Sequence, residues 1–344
     1  MKIKEISGSF VCEAPQDSQL DMNEVYRIVD YTKNTWQTNR TQQEAIKDTI
    51  QGKKAELVFE HIINKISKIR FISYDSFRKD EYKKHAPFDG LLVRNEVSED
   101  ILSNTIKKIN DTVKNGSENG RITTDLRKKM EEDKVFTVEI KSSSLKKRDY
   151  EGIERKEPRR MEDYKRIVEN IKRWDYFMYP HFVRKSDYIV DFFDYCKYVK
   201  NINNGEFSEL GNEKFLKRLM QIEFENASDI YTRLYFDYIT NEIYIPGYIL
   251  KGDFFKKPVI KKMPGEKSGK ALYYMHSISQ GRSFIELDGD NRLWQFNRVQ
   301  AYYELLAGHT NNCIVCQSSL RICRGEQYKN YYYRCYNCNK NYKI

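Results

Sequence analysis

Val135-Phe136-Thr137-Val138-Glu139-Ile140-Lys141 alternates along a β-type run that ends in an acid and a base two residues apart. Side chains alternate faces along a strand, so the pattern predicts Phe136, Val138 and Ile140 toward a core and Val135, Thr137, Glu139 and Lys141 on the other face. Upstream, Ala86-Pro87-Phe88-Asp89-Gly90 precedes the apolar run Leu91-Leu92-Val93. Pro, Asp and Gly are turn residues, so this stretch reads as a turn that places an acid at the head of a second strand. Ile69 to Ser73 predicts a further short strand.

The helical signals lie on either side. Asp21-x-x-Glu24 and Thr41-x-x-Glu44 have capping-box spacing and open helices with apolar Val25, Ile28 and Val29, and Ala45, Ile46 and Ile50. After Gly52 the pattern resumes: Ala55, Val58, Phe59, Ile62, Ile63 and Ile66, at spacings of three and four, predict the first core helix. Between Asn95 and Lys134 a helix is expected over Ile101 to Val113, followed by a loop from Lys114 to Gly120. Ile167 to Val199 is a helical and aromatic region. Ile230 to Ile239, the turn Thr240-Asn241-Glu242 and Ile243-Tyr244-Ile245 predict a hairpin that continues the sheet. Lys261 to Lys270 reads as a loop, Ser283 to Leu287 as a strand and Leu293 to Leu306 as a last helix. Asp288-Gly289-Asp290-Asn291 lacks the bidentate Glu of a calcium loop and is a turn.

At 344 residues the chain can bury a sizeable core, as one large domain with an appendage or as two domains. Sixty Lys and Arg against fifty Asp and Glu give +10, and 26 of the aromatic residues are tyrosines. Basic excess with abundant Tyr suits a nucleic-acid partner, and equally an AT-rich genome. No apolar window approaches the roughly 18 to 20 residues of a membrane span, and the N-terminus has no apolar leader, so a soluble cytoplasmic protein is expected.

Acid-x-Lys spacing also occurs at Glu81/Lys83, Glu132/Lys134, Glu154/Lys156 and Asp163/Lys165. Glu139/Lys141 alone ends an apolar alternation; an edge strand with a solvated charged end is the other reading. Taken with Pro87 and Asp89, the pair resembles the PD-(D/E)xK nuclease superfamily, specifically its type II restriction endonuclease branch. The resemblance covers residues 52–145. Two departures stand out: Phe88 separates the proline from the acid, and the charged 95–134 segment makes the distance from Asp89 to Glu139 long.

This resemblance implies an α/β fold, a restriction-endonuclease-like mixed central sheet flanked by helices, over residues 1–306 (core 52–145, continuation 146–306). It implies that Asp89, Glu139 and the main-chain carbonyl of Ile140 bind Mg²⁺, that Lys141 orients and helps deprotonate the attacking water, and that a glutamate of the first helix supports the metal. Glu56 is the candidate, with Glu60 second, although two glutamates one turn apart also suit a solvated helix face. The chemistry is coherent: a divalent cation neutralises a phosphodiester that otherwise repels hydroxide, and a desolvated lysine becomes a better base.

The implied substrate is double-stranded DNA, cut at a specific sequence to give a 5′-phosphate and a 3′-hydroxyl. A palindromic site would call for a homodimer. A cognate DNA methyltransferase belongs to such a system without being a physical partner. A structure-specific repair or recombination nuclease, and a non-catalytic zinc-ribbon DNA-binding protein, are the competing functions. Lys146, Lys147, Arg148, Arg155, Lys156, Arg159 and Arg160 follow the active strand as a DNA-facing surface or, with acids interleaved, as solvated helical charge.

Residues 307–344 carry Cys313-x-x-Cys316 and Cys335-x-x-Cys338 with 18 residues between the pairs. Two such turns aim four thiolates at one point, which predicts a closed, structural Zn²⁺ site of zinc-ribbon type rather than a disulfide framework. Cys323 between the pairs is expected as a free thiol. Six basic residues against one acid from Asn311 onward, interleaved with Tyr, suit DNA contact, and dimerisation is the alternative role.

Overall fold

The computed structural model describes residues 1–31, 41–116, 122–154, 159–180, 224, 226–256, 259–262, 272–294, 321–324, 331–337 and 340–343. They fall into two compact units, one of residues 1–179, 227–251 and 275–294, the other of 180–226, 252–274 and 295–344.

The first unit is mixed α/β. Its strands are β1 (Ile3–Ile6), β2 (Ser9–Glu13), β3 (Ile69–Ser73), β4 (Gly90–Arg94), β5 (Val135–Ser144), β6 (Tyr176–Pro180), β7 (Ile230–Asp237), β8 (Glu242–Ile245) and β9 (Tyr248–Leu250). Its main helices are α1 (Met22–Tyr31), α2 (Gln42–Ile66), α3 (Glu99–Asn115), α4 (Thr124–Glu132) and α5 (Met161–Trp174). An eight-stranded curled sheet runs β1-β2-β8-β7-β5-β4-β3, with β9 also paired to β7, and β6 lies outside it. Every pairing is antiparallel except β5 with β7, whose parallel register needs the crossover that contains α5.

β5 is central, not an edge. Val135, Phe136, Thr137 and Val138 are all buried, because helices cover both faces of the sheet. On one side α2 buries Ala55, Val58, Phe59, Ile62 and Ile63, and the Phe59 ring meets Phe71 edge-on at 5.0 Å. On the other, Leu91, Val93 and Val135 join Leu102, Ile109 and Val113 of α3 and Leu126 and Met130 of α4 in one apolar cluster. The 95–134 segment is therefore a second helical layer, and its length leaves the β4–β5 pairing intact, with Gly90 opposite Val138. A side chain at Gly90 would collide with the Phe71 ring, which fixes glycine at the start of β4.

Several expectations change in detail. Thr41 and Glu44 form the reciprocal capping box, Glu44 N donating to Thr41 Oγ1 at 3.2 Å and Thr41 N to Glu44 Oε2 at 2.8 Å. The helix they open does not stop at Gly52; it runs unbroken to Ile66, since nothing crowds that glycine and the stripe beyond it holds the helix down. Asp21 caps α1, accepting from Asn23 N and Glu24 N, but Glu24 does not reach back and instead accepts from Tyr82 Oη. β5 continues through Ser144 rather than turning after Lys141, because β7 pairs with it that far. Residues 284–289 form a 3₁₀ helix, not a strand, with Ser283 capping it and Phe284 packed on Phe59. Of the last helix only Asn291–Trp294 lies within the described residues, and 181–223, 263–271 and 295–320 lie outside them.

In the second unit, β10 (Val259–Lys262) takes in the first two residues of the loop expected from Lys261 to Lys270, and the rest of that stretch lies outside the described residues. β11 spans Leu272–Ser277, its first three residues in this unit and its last three in the first. Near the C-terminus β12 (Arg321–Arg324), β13 (Tyr331–Cys335) and β14 (Lys340–Lys343) form an antiparallel meander.

Candidate active site

Asp89 stands immediately before β4, and three backbone groups clamp it. Its N–H donates to Val138 O at 3.0 Å, its carbonyl accepts from Tyr74 N at 2.9 Å, and its Oδ2 accepts from Ile140 N at 2.5 Å. The side chain thus takes the ladder position next to Glu139. Phe88 explains the extra residue in the motif: it is buried against Tyr74, with ring centroids 5.4 Å apart, and anchors the turn from below. Glu139 Oε1 and Lys141 Nζ form an ion pair on the other side of this point.

Glu56 arrives from α2. Its Oε2 accepts from Ser73 Oγ at 2.9 Å at the end of β3 and lies 3.5 Å from Lys53 Nζ. Lys53 in turn pairs with Glu24 at 2.7 Å and with Asp75, and Arg78 holds Asp75 Oδ1 at 2.8 Å. Neither Lys53 nor Ser73 is marked out by the sequence pattern. The only local signal was Lys53 three residues before Glu56, a spacing that pairs on a helix. Glu60 sits one turn further along α2, and burial raises its carboxyl.

The electrostatics show which groups meet. Burial, then the charges of Glu139 and Glu56, push the Asp89 carboxyl well above the ordinary carboxylate range, against the opposing pull of Lys141 and the Ile140 N–H. Burial likewise lifts Glu56 to about 7, although Lys53 and Ser73 act the other way. Three carboxylates therefore crowd one end of the sheet with too little positive charge among them. A divalent cation would relieve that excess, and Asp89, Glu139 and the Ile140 carbonyl are the oxygen donors that could hold hard Mg²⁺. Among the described residues no group of three or more His, Cys, Asp or Glu side chains is placed to hold a metal ion. Two carboxylates and a main-chain oxygen would leave the remaining positions to water and substrate.

Lys141 is neither deeply buried nor unpaired: its side chain is 37 % exposed beside Glu139, so the desolvation expected for it is partial. Opposite Glu139 and Lys141 in the β7 register stand Tyr231 and Arg233. Arg233 is nearly buried and donates to Ser143 Oγ at 2.7 Å and Tyr176 O at 2.7 Å, which fixes the strand end beyond Lys141.

The basic stretch after β5 is not one surface. Arg159 is buried and paired with Asp237, and both Lys146 and Arg148 reach the buried Asp175. Lys147 and Arg160 are exposed, while Arg155 and Lys156 lie outside the described residues. Cys313, Cys316 and Cys338 also lie outside them. Cys335 closes β13, and a turn at residues 336–337 follows, where the second Cys-x-x-Cys begins.

Among the described residues no helix is long and apolar enough to cross a membrane. Comparison with protein-family models, with curated proteins and with solved structures returns no match.

Proposed function

We propose that the chain is a type II restriction endonuclease that hydrolyses phosphodiester bonds of double-stranded DNA at a specific sequence with Mg²⁺, leaving 5′-phosphate ends. One observation carries the reading: Asp89, remote in sequence, lies against Glu139 and Lys141, with Glu56 near enough to raise its carboxyl. The mixed sheet flanked by helices suits a restriction-endonuclease-like fold. Asp89, Glu139 and the Ile140 carbonyl would hold the metal, which when bound supplies charge neutralisation at the phosphate and a more acidic water.

The side chains divide the remaining work. Ile140 N–H and the main-chain bonds around Asp89 keep that carboxylate aimed at the strand end. Lys141, paired with Glu139, would orient the attacking water, and would take the water's proton as the neutral amine after releasing its own ammonium proton to solvent. Glu56, held by Ser73, would support the metal shell from the α2 side. The four C-terminal cysteines would bind one structural Zn²⁺, and the turn after Cys335 suits a thiolate knuckle.

Purified protein incubated with phage DNA and Mg²⁺ should give discrete fragments whose sequenced ends share one site. Asp89→Ala and Lys141→Ala should abolish cutting while binding of duplex in Ca²⁺ persists. Wild-type rates in either variant would remove the assignment. Nicking confined to branched or flapped substrates would favour the repair nuclease instead.

A further inference from the structure

Ser142 follows Lys141 and accepts a hydrogen bond from Gln51 Nε2 at 3.0 Å. From there α2 leads into a cavity of about 360 Å³ within the first unit. That size is within the range of about 300–1,000 Å³ for small-molecule sites. Its floor is apolar, from Ile46, Ile50 and Phe236, and its rim carries the amides of Gln43, Gln51 and Asn241. Gln51 lies five residues before Glu56, about 7.5 Å along the helix, or roughly two nucleotide steps of a DNA strand.

The wall opposite α2 is the β7–β8 turn, and its construction is unusual. Tyr238 is 56 % exposed, yet its ring stacks on Phe236 at 6.1 Å, Lys47 Nζ lies 5.7 Å above it, and its hydroxyl donates to Gln51 Oε1 at 2.7 Å. Beneath it Asp237 is fully buried; it accepts from Ile239 N at 2.9 Å and Tyr150 Oη at 2.9 Å and pairs with Arg159, which also donates to Tyr244 Oη at 2.8 Å. Burying an ion pair costs desolvation, and Asp237 also fixes the turn backbone beside Tyr238, whose ring is held by Phe236 and Gln51. A ring fixed in advance loses little entropy when a planar ligand lands on it. Rings with amides and a lysine around them match a base and its phosphate. Asp17 on the rim does not oppose that anion, because Lys54 pairs with it at 2.6 Å.

We propose that this cavity takes one nucleobase of the substrate DNA, unstacked from its strand, with the base laid on Tyr238, its polar edge met by Gln51 and Asn241, and the adjoining phosphate by Lys47. The DNA, though not the cavity, rests on the nuclease reading. The test uses full-length protein in Ca²⁺ with a pool of random duplexes that carry 5-iodouracil in place of thymine, irradiated and mapped by mass spectrometry. The expected crosslink is at Tyr238, undiminished by excess deoxynucleoside monophosphates. Tyr238→Ala should weaken duplex binding roughly tenfold, the scale of a single base–aromatic stack, and Tyr238→Phe should restore it. Crosslinks only elsewhere, unchanged affinity in Tyr238→Ala, or displacement by mononucleotides would overturn the proposal. A protein that crosslinks at Tyr238 but never cuts in Mg²⁺ would retain the cavity and sink the nuclease.

Discussion

Asp89 is held where its charge is unwelcome: burial and two neighbouring carboxylates favour its neutral form. A carboxylate held this way costs stability, so Asp89→Asn should raise the thermal midpoint by a few degrees in EDTA and, if the proposed function holds, eliminate Mg²⁺-dependent cutting. Glu56 makes the same point with a sign that can be followed through. Burial pushes its carboxyl up from 4.5 to about 7 in the fold. Between those values the folded chain holds a proton that the unfolded chain has released, so its contribution to stability falls as pH rises through that window. Glu56→Gln, which keeps an acceptor for Ser73, should be more stable than the parent by about 3 kcal/mol at pH 8 and equal to it near pH 4 in urea titrations with EDTA. Parallel pH curves for the two proteins would show that Glu56 is not buried against its neighbours as described.

At the scale of elements, β5 joins the end of the sheet that carries Asp89, Glu139 and Lys141 to a buried network at its other end. Thr137 N and Oγ1 both donate to Asp229 Oδ2 at 2.8 Å, and Lys251 Nζ bridges Asp229 at 2.6 Å and Glu131 of α4 at 2.7 Å. Lys251→Met should cost about 3–5 kcal/mol, since it leaves two buried carboxylates without their shared cation. Chemical denaturation reads this directly, and a loss below about 1 kcal/mol would mean the network relaxes. The alternation that marked out β5, the capping residues at Thr41 and the hairpin at 230–245 were legible because each is a local pattern. α4 was not, for only Leu126, Met130 and a few polar groups of its short length are buried. Nor was the fate of Arg159, whose partner Asp237 arrives only when β7 pairs with β5. Glu139 could be told from its look-alikes in the sequence; Lys53 and Ser73, which hold Glu56, could not, because packing across α2 and β3 leaves no periodic trace.

For the whole molecule, a net charge of +10 would make the proposed DNA affinity depend on salt, but among the described residues after β5 three cations are already paired. Lys146, Arg148 and Arg159 hold buried aspartates, so neutralising them should destabilise the fold rather than change the ionic response. Lys147→Ala and Arg160→Ala are the informative pair: if the side chain neutralises a phosphate, its removal should lower the slope of log K against log salt by about 1, with unfolding unchanged. The division into two compact units gives the zinc proposal its own readout. A small sheet such as β12–β14 buries little surface, so its metal would supply most of its folding energy. Elemental analysis should find one zinc per chain, and Cys335→Ser should remove both the zinc and a low-temperature unfolding step while the main transition of the first unit stays in place. Metal-free protein that melts like the parent would leave the four cysteines without a structural role.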